Sequence, residues 1–115
     1  MNSEGGFNLE LAHTYFAKVA NSRTWELLAS TNRTLDEDFE MISSAHTSYY
    51  HWSQVGTALQ QQRGEWLIAH VYTMLGDGEV VLRHAIRCRD LTQTNLELMH
   101  DFDIAYGYEG MARAL

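Results

Sequence analysis

No proline occurs in the 115 residues, and cysteine occurs once, at Cys88. Without proline there is no ring to remove a helical hydrogen bond and kink the backbone, so long uninterrupted helices are open to this chain. A single cysteine excludes an intramolecular disulfide and any thiol-rich metal site, and it points to a reducing compartment. Cys88 lies in an apolar helical stripe, where a small buried residue is the plain reading; a nucleophilic thiol would need an activating environment. Positive charge is also scarce. Eight Lys and Arg against 15 Asp and Glu leave a net charge of -7, opposite to what a phosphate backbone attracts, so no nucleic acid is expected as a partner. The run Arg83, His84, Arg87, Arg89 is the local exception, and it reads as a solvated helix face. No apolar run approaches a membrane span, and Met1 to Gly6 lacks the basic start and apolar stretch of a secretory signal. A cytoplasmic protein without a membrane partner is the expectation.

What is present describes a globular chain. It is 45% hydrophobic and carries Trp25, Trp52 and Trp66 as large core or groove residues, and its length suits one domain over 1–115 with a disordered or loosely ordered N-terminus at 1–7. Apolar residues recur at three- and four-residue spacing between Gly and Asn/Thr punctuation, which predicts an all-α fold of about five helices. Asn8 caps the first, reaching about Ser30 with a bend expected at the polar stretch Asn21 to Thr24. Thr34 and Glu37 form a capping-box pattern for a second helix from Leu35 to about Val55. Gly56 and the Gln60-Gln61-Gln62 run loosen the pattern, so the third helix is expected from about Arg63 to Leu75. After Gly76-Asp77-Gly78, the sharpest turn, a fourth helix covers about Glu79 to Thr92, and a fifth runs from Asp101.

One short pattern occurs three times: Leu11-Ala12-His13-Thr14-Tyr15, Ile68-Ala69-His70-Val71-Tyr72 and Ile104-Ala105-Tyr106-Gly107-Tyr108. Each is a branched aliphatic residue, Ala, two variable residues and Tyr, and Tyr72 and Tyr108 are 36 residues apart, near the roughly 34 of a helix-turn-helix repeat. On these residues the chain resembles the tetratricopeptide repeat family. The resemblance implies antiparallel helix pairs stacked as a short superhelix. Ala12, Ala69 and Ala105 would let paired helices approach, Tyr15, Tyr72 and Tyr108 would fill the space between them, and Gly76-Asp77 would lead into the second helix. Val81, Ala85 and Cys88 stand at that helix's packing positions. Trp66 is one place out of the family's register, the closing proline is absent, and Ala85 replaces the family's Phe.

The resemblance also implies a concave groove lined by the first helix of each pair. The lining positions read Leu9, His13, Phe16, then Trp66, His70, Thr73, then Phe102, Tyr106, Glu109, and helical spacing alone puts each trio on one face. Such aromatic and His residues suit an apolar or helical peptide segment. An interaction module for a protein or peptide partner is therefore the first functional reading, with no catalytic residue, metal or cofactor expected. Two alternatives compete with it. Glu10-x-x-His13 and Glu97-x-x-His100 have the spacing of a di-metal centre in a helical bundle, but Glu97 and His100 precede the fifth helix and a common amphipathic pair explains the rest. His46 and His51 lie about 140° apart around one helix and cannot chelate one ion together. A ligand pocket beside Tyr49, Tyr50 and Trp52 is the other alternative, against which stands hydrogen-bonded packing of His46 between helices. Ile104, Ala105, Tyr108, Met111, Ala112 and Leu115 spread over more than one face of the fifth helix, and so a homodimer is expected.

Overall fold

The computed structural model describes residues 7–114, which form five α-helices and one short turn of 3-10 helix. The helices are α1 (Leu9–Ala29), α2 (Leu35–Val55), α3 (Ala58–Leu75), α4 (Gly78–Thr94) and α5 (Asp101–Ala114), with the 3-10 turn at Leu96–Leu98. There is no strand among the described residues. The expected loose N-terminus falls outside the described residues, apart from Phe7, which is exposed. None of the described helices is long and apolar enough to cross a membrane.

Local chemistry sets the ends of the elements. Asn8 accepts from Leu11 N–H, and Thr34 and Glu37 satisfy each other's backbone N–H groups in a reciprocal capping box. The loop between α1 and α2 is held by Arg33, which donates to the carbonyls of Leu27 and Ser30 and to Asp38. Gly76 adopts φ +80°, the left-handed conformation that ends a helix without a Cβ penalty, and Asp77 then caps α4. Two details differ from the sequence expectations. The third helix begins at Ala58, not near Arg63, because Thr57 and Gln60 form a second capping box and the glutamines continue as helix. Nor do Asn21 to Thr24 interrupt α1: Thr24 is fully buried and its hydroxyl donates to the Ala20 carbonyl one turn back.

Each helix packs against the next in sequence, and α5 also touches α3. The molecule is 21 Å thick in its shortest direction, which is two helix diameters at about 10 Å each. Small residues make the α1–α2 contact: Ala17, Ala20 and Ala45 are buried, and Ser48 donates across it to the Ala17 carbonyl at 3.0 Å. Leu27, Met41, Ala45, Ile68 and Val71 form the apolar core, joined at its margin by Tyr72.

The three repeated patterns are not equivalent in space. Ala69 is buried and Tyr72 lies between His46 of α2 and His84 of α4, whereas Tyr15, Ala105 and Tyr108 are exposed and Ala12 is half-buried. What brings α5 onto α4 is a pair of glycines that the repeat pattern did not single out. Gly107 and Gly110 are buried, Gly107 against Thr92 and Gly110 against Ala85. A helix docked through this face turns Ala105 and Tyr108 outward.

Candidate functional site

Alternate helices contribute to one aromatic face. Trp66 of α3 is its centre: the indole stacks on Tyr106 of α5 with ring centroids 4.6 Å apart and on His70 at 5.0 Å. Trp25 of α1 stacks on the same indole at 6.2 Å. Phe102 stands edge-on to Tyr106, with the Arg63 guanidinium 5.0 Å from its ring. The spacings that produce this are helical. Arg63, Trp66 and His70 form one stripe of α3, and Phe102, Tyr106, Glu109 and Arg113 form one stripe of α5. Trp66 is half-buried, while Trp25, Phe102 and Tyr106 are between 41 and 52% exposed. They surround a cleft of about 240 Å³ that Asn21, Gln62, Arg63 and Leu67 complete. A second, separate cleft of about 320 Å³ lies on the other side of Asn21 and Arg63, lined also by Ser48, Trp52 and Gly64.

Ion pairs fix the rim. Trp66 Nε1–H donates to Glu109 at 3.2 Å, and Arg113 holds the same carboxylate through two bonds of 2.6 and 2.7 Å. The Arg113 hydrogen bonds, followed by that from Trp66, keep the Glu109 carboxyl below its usual range. Burial, aided by the nearby Arg113, lowers the pKa of His70, so its ring is neutral at neutral pH and offers Nδ1 to Arg113. Arg63 clamps Asp103 by two bonds at 2.9 and 3.1 Å, and Asp103, fully buried, also accepts from the His100 N–H that opens α5. The aromatic side chains are thus carried on helices cross-linked by charge, with both cations already paired.

Of the nine expected groove residues, five come together here, Trp66, His70, Phe102, Tyr106 and Glu109, while Leu9 is exposed at the start of α1, away from the cleft. Thr73 does not join them. Its hydroxyl donates back to Ala69 and it lines a shallow depression with Gly76, Asp77 and Arg113. His13 and Phe16 are also elsewhere, because they precede Trp25 by 12 and 9 residues, roughly 18 and 14 Å along α1. Their neighbours are His51 and Tyr50 of α2: His13 Nδ1 lies 2.8 Å from His51 Nδ1, and the Phe16 ring is 5.6 Å from that of His51. Sequence reading offered Trp25 only as a core or groove residue without placing it in this lining, and it missed Asn21 and Arg63.

His46 and Tyr49 of α2 make packing contacts between helices. His46 Nε2 meets the Tyr72 hydroxyl at 3.1 Å, the hydrogen-bonded packing weighed against a ligand pocket. Tyr49 lies against Gly64 and its hydroxyl accepts from Arg87 at 2.8 Å. Tyr50 faces the other way, toward His13, so Tyr49, Tyr50 and Trp52 do not share one pocket. Sequence reading also missed Glu65, which is 1% exposed and bound by His84 and Arg87 at 2.5 Å each. Two members of the basic run on α4 therefore serve a buried carboxylate. Burial pushes the Cys88 thiol up to about 12, which keeps it protonated and unreactive at neutral pH.

The two Glu-x-x-His motifs do not form a pair. Glu97 sits in the 3-10 turn, His100 precedes α5, and His13 has His51 as its partner. Among the described residues no group of three or more His, Cys, Asp or Glu side chains converges on a point that could hold an ion. No family model, curated protein or solved structure matches the chain.

Proposed function

We propose that the chain is an interaction module, a tetratricopeptide-like stack whose α1, α3 and α5 capture a peptide segment of a partner by taking one aromatic or large aliphatic side chain into the Trp25–Trp66–Tyr106 cleft. The observation that carries this is the partly exposed stack itself. Cavity size selects the occupant. Pockets for small molecules run from about 300 to 1,000 Å³, whereas a cavity of about 150 Å³ holds benzene; 240 Å³ suits one side chain of a segment whose backbone passes over the rim. Exposed Trp and Tyr on rigid helices are the residues that carry most binding energy at protein interfaces. Because Arg63 and Arg113 are each committed to a carboxylate, recognition rests on apolar contact and ring stacking more than on charge.

A peptide library displayed on phage and selected on the immobilised protein tests this. Enriched sequences should share one aromatic or large aliphatic position. Trp25→Ala, a change at a half-exposed side chain, should weaken the selected peptide roughly 30-fold or more, the effect of a hot spot of about 2 kcal/mol. If the selected peptides bind Trp25→Ala and Trp66→Ala as tightly as wild type, the cleft is not the site.

Self-association is a second reading, favoured by apolar side chains left in water on the outer helices. Leu11, Tyr15 and Val19 on α1 and Ala105, Tyr108 and Ala112 on α5 are all exposed. Light scattering should then show a dimer that Tyr108→Glu, on the outer face of α5, converts to monomer. A mass of 13.2 kDa at every concentration would eliminate it.

A further inference from the structure

We infer that His13 and His51 form a site for a tetragonal divalent transition ion, Cu²⁺ before Ni²⁺, bound through the two Nδ1 atoms and completed by water. The argument is independent of the peptide cleft, which these residues do not line. The two Nδ1 atoms are 2.8 Å apart, on different helices and 38 residues apart in sequence. Imidazole binds such ions at about 2.0–2.1 Å, so a metal equidistant from nitrogens at this separation subtends close to 90°. That is the angle between neighbouring positions of a square-planar or tetragonal centre. A tetrahedral ion would need the nitrogens about 3.3 Å apart, farther than they stand here.

In the metal-free pair one Nδ1–H donates to the other nitrogen. Binding requires that proton to shift to Nε2 through water, which frees both Nδ1 lone pairs for the metal. Each ring must also swing so that the lone pairs converge. The torsion involved is broad for histidine, so the swing is a small adjustment. Both rings are half-buried, leaving the outer side of the ion to water. Phe16 and Tyr50 pack beside the rings and restrict their positions. With only two protein donors the site favours the ion with the greatest intrinsic affinity for imidazole, and the Irving–Williams order places Cu²⁺ first.

The test is calorimetric titration of the untagged, chelator-free chain with CuCl₂, with electron paramagnetic resonance of the one-to-one complex. One ion per chain with hyperfine structure from two nitrogens is expected. His13→Gln and His51→Gln should each lower the affinity at least about 100-fold, the upper end of what loss of an outer partner of a ligand costs. His46→Gln should bind as wild type does. Copper should also raise the melting temperature of wild type and not of His51→Gln, because an ion that binds only the folded pair stabilises it. No saturable binding to wild type, a spectrum lacking two equivalent nitrogens, or undiminished affinity in both His13→Gln and His51→Gln would overturn the assignment. So would a loss of affinity in His46→Gln equal to theirs.

Discussion

Alanine at Gly107 is expected to loosen α5 from α4 and to lower stability by about 1–3 kcal/mol, the usual scale of overpacking. Helix propensity alone argues the other way, since alanine within a helix is favoured over glycine by about 1 kcal/mol. The contact decides the sign. A Cβ at Gly107 would collide with Thr92 Oγ1 and lie 2.8 Å from its Cβ and 2.9 Å from its Cγ2. Thr92 has nowhere to go: it is fully buried, donates to the Cys88 carbonyl at 2.7 Å and accepts from Gln62 at 3.0 Å. Either those bonds break or the helix moves away. Gly110 provides the comparison, because its added Cβ would meet Ala85 at an ordinary 3.5 Å. Gly110→Ala should therefore be neutral or stabilising. Urea midpoints of the two variants measure the difference; a Gly107→Ala protein at least as stable as wild type would disprove the close α4–α5 contact.

Removing both hydrogen-bond partners of Glu65, in the double variant His84→Ala, Arg87→Ala, should cost about 3–5 kcal/mol, the penalty for stranding a buried charge. Arg87→Ala alone should cost much less, since the Arg87 side chain is 57% exposed and water screens its pairing. The pH dependence separates charge from packing. Burial pushes the Glu65 carboxyl up, but hydrogen bonds from His84 and Arg87 outweigh it and hold the group below its ordinary value. A carboxyl lowered in this way contributes stability that is present above the unfolded-state value and is lost as pH falls through the lowered native one. In the double variant burial acts unopposed and the neutral acid becomes the favoured form, so the gap to wild type should be widest near neutral pH and narrow in acid. Denaturation measured at both pH values checks this, and an equal gap would mean that lost packing, not charge, causes the destabilisation.

Helix content was legible in the sequence because capping residues and apolar spacing act within a few residues. Thr34 with Glu37 and the Gly76-Asp77 turn stand where the residues place them. The start of α3 was obscured by polarity: Gln60 to Gln62 resemble a loop in composition, yet glutamine is a good helix former and Gln60 completes a cap. Close packing by Gly107 was obscured for a different reason, since a glycine inside a helix shows in sequence as a weakness and reveals its use only when the neighbouring helix is in place. The aromatic face was half legible. A helical wheel puts Trp66 beside His70 and Phe102 beside Tyr106, but it cannot bring in Trp25 from α1 or remove His13 to the far end of that helix. His51 shows the same limit. Its geometry with His46 rules out chelation within α2, while its nearest imidazole lies across the interface, 38 residues away.

The attachment of α5 differs in kind from the contacts within the core. At the α3–α4–α5 junction Gln62 donates to Thr92 and to the Asp103 carbonyl, and Arg63 clamps the Asp103 carboxylate; around Leu27, Met41, Ile68 and Val71 the contacts are apolar. Exposing apolar area raises heat capacity, and exposing polar area lowers it. The core thus accounts for most of the curvature of the stability profile and loses strength in the cold, while the anchor of α5 follows a flatter thermal course. Phe102 and Tyr106, which form one wall of the cleft, belong to that flatter part of the molecule, so temperature shifts the balance between the wall and the frame that supports it.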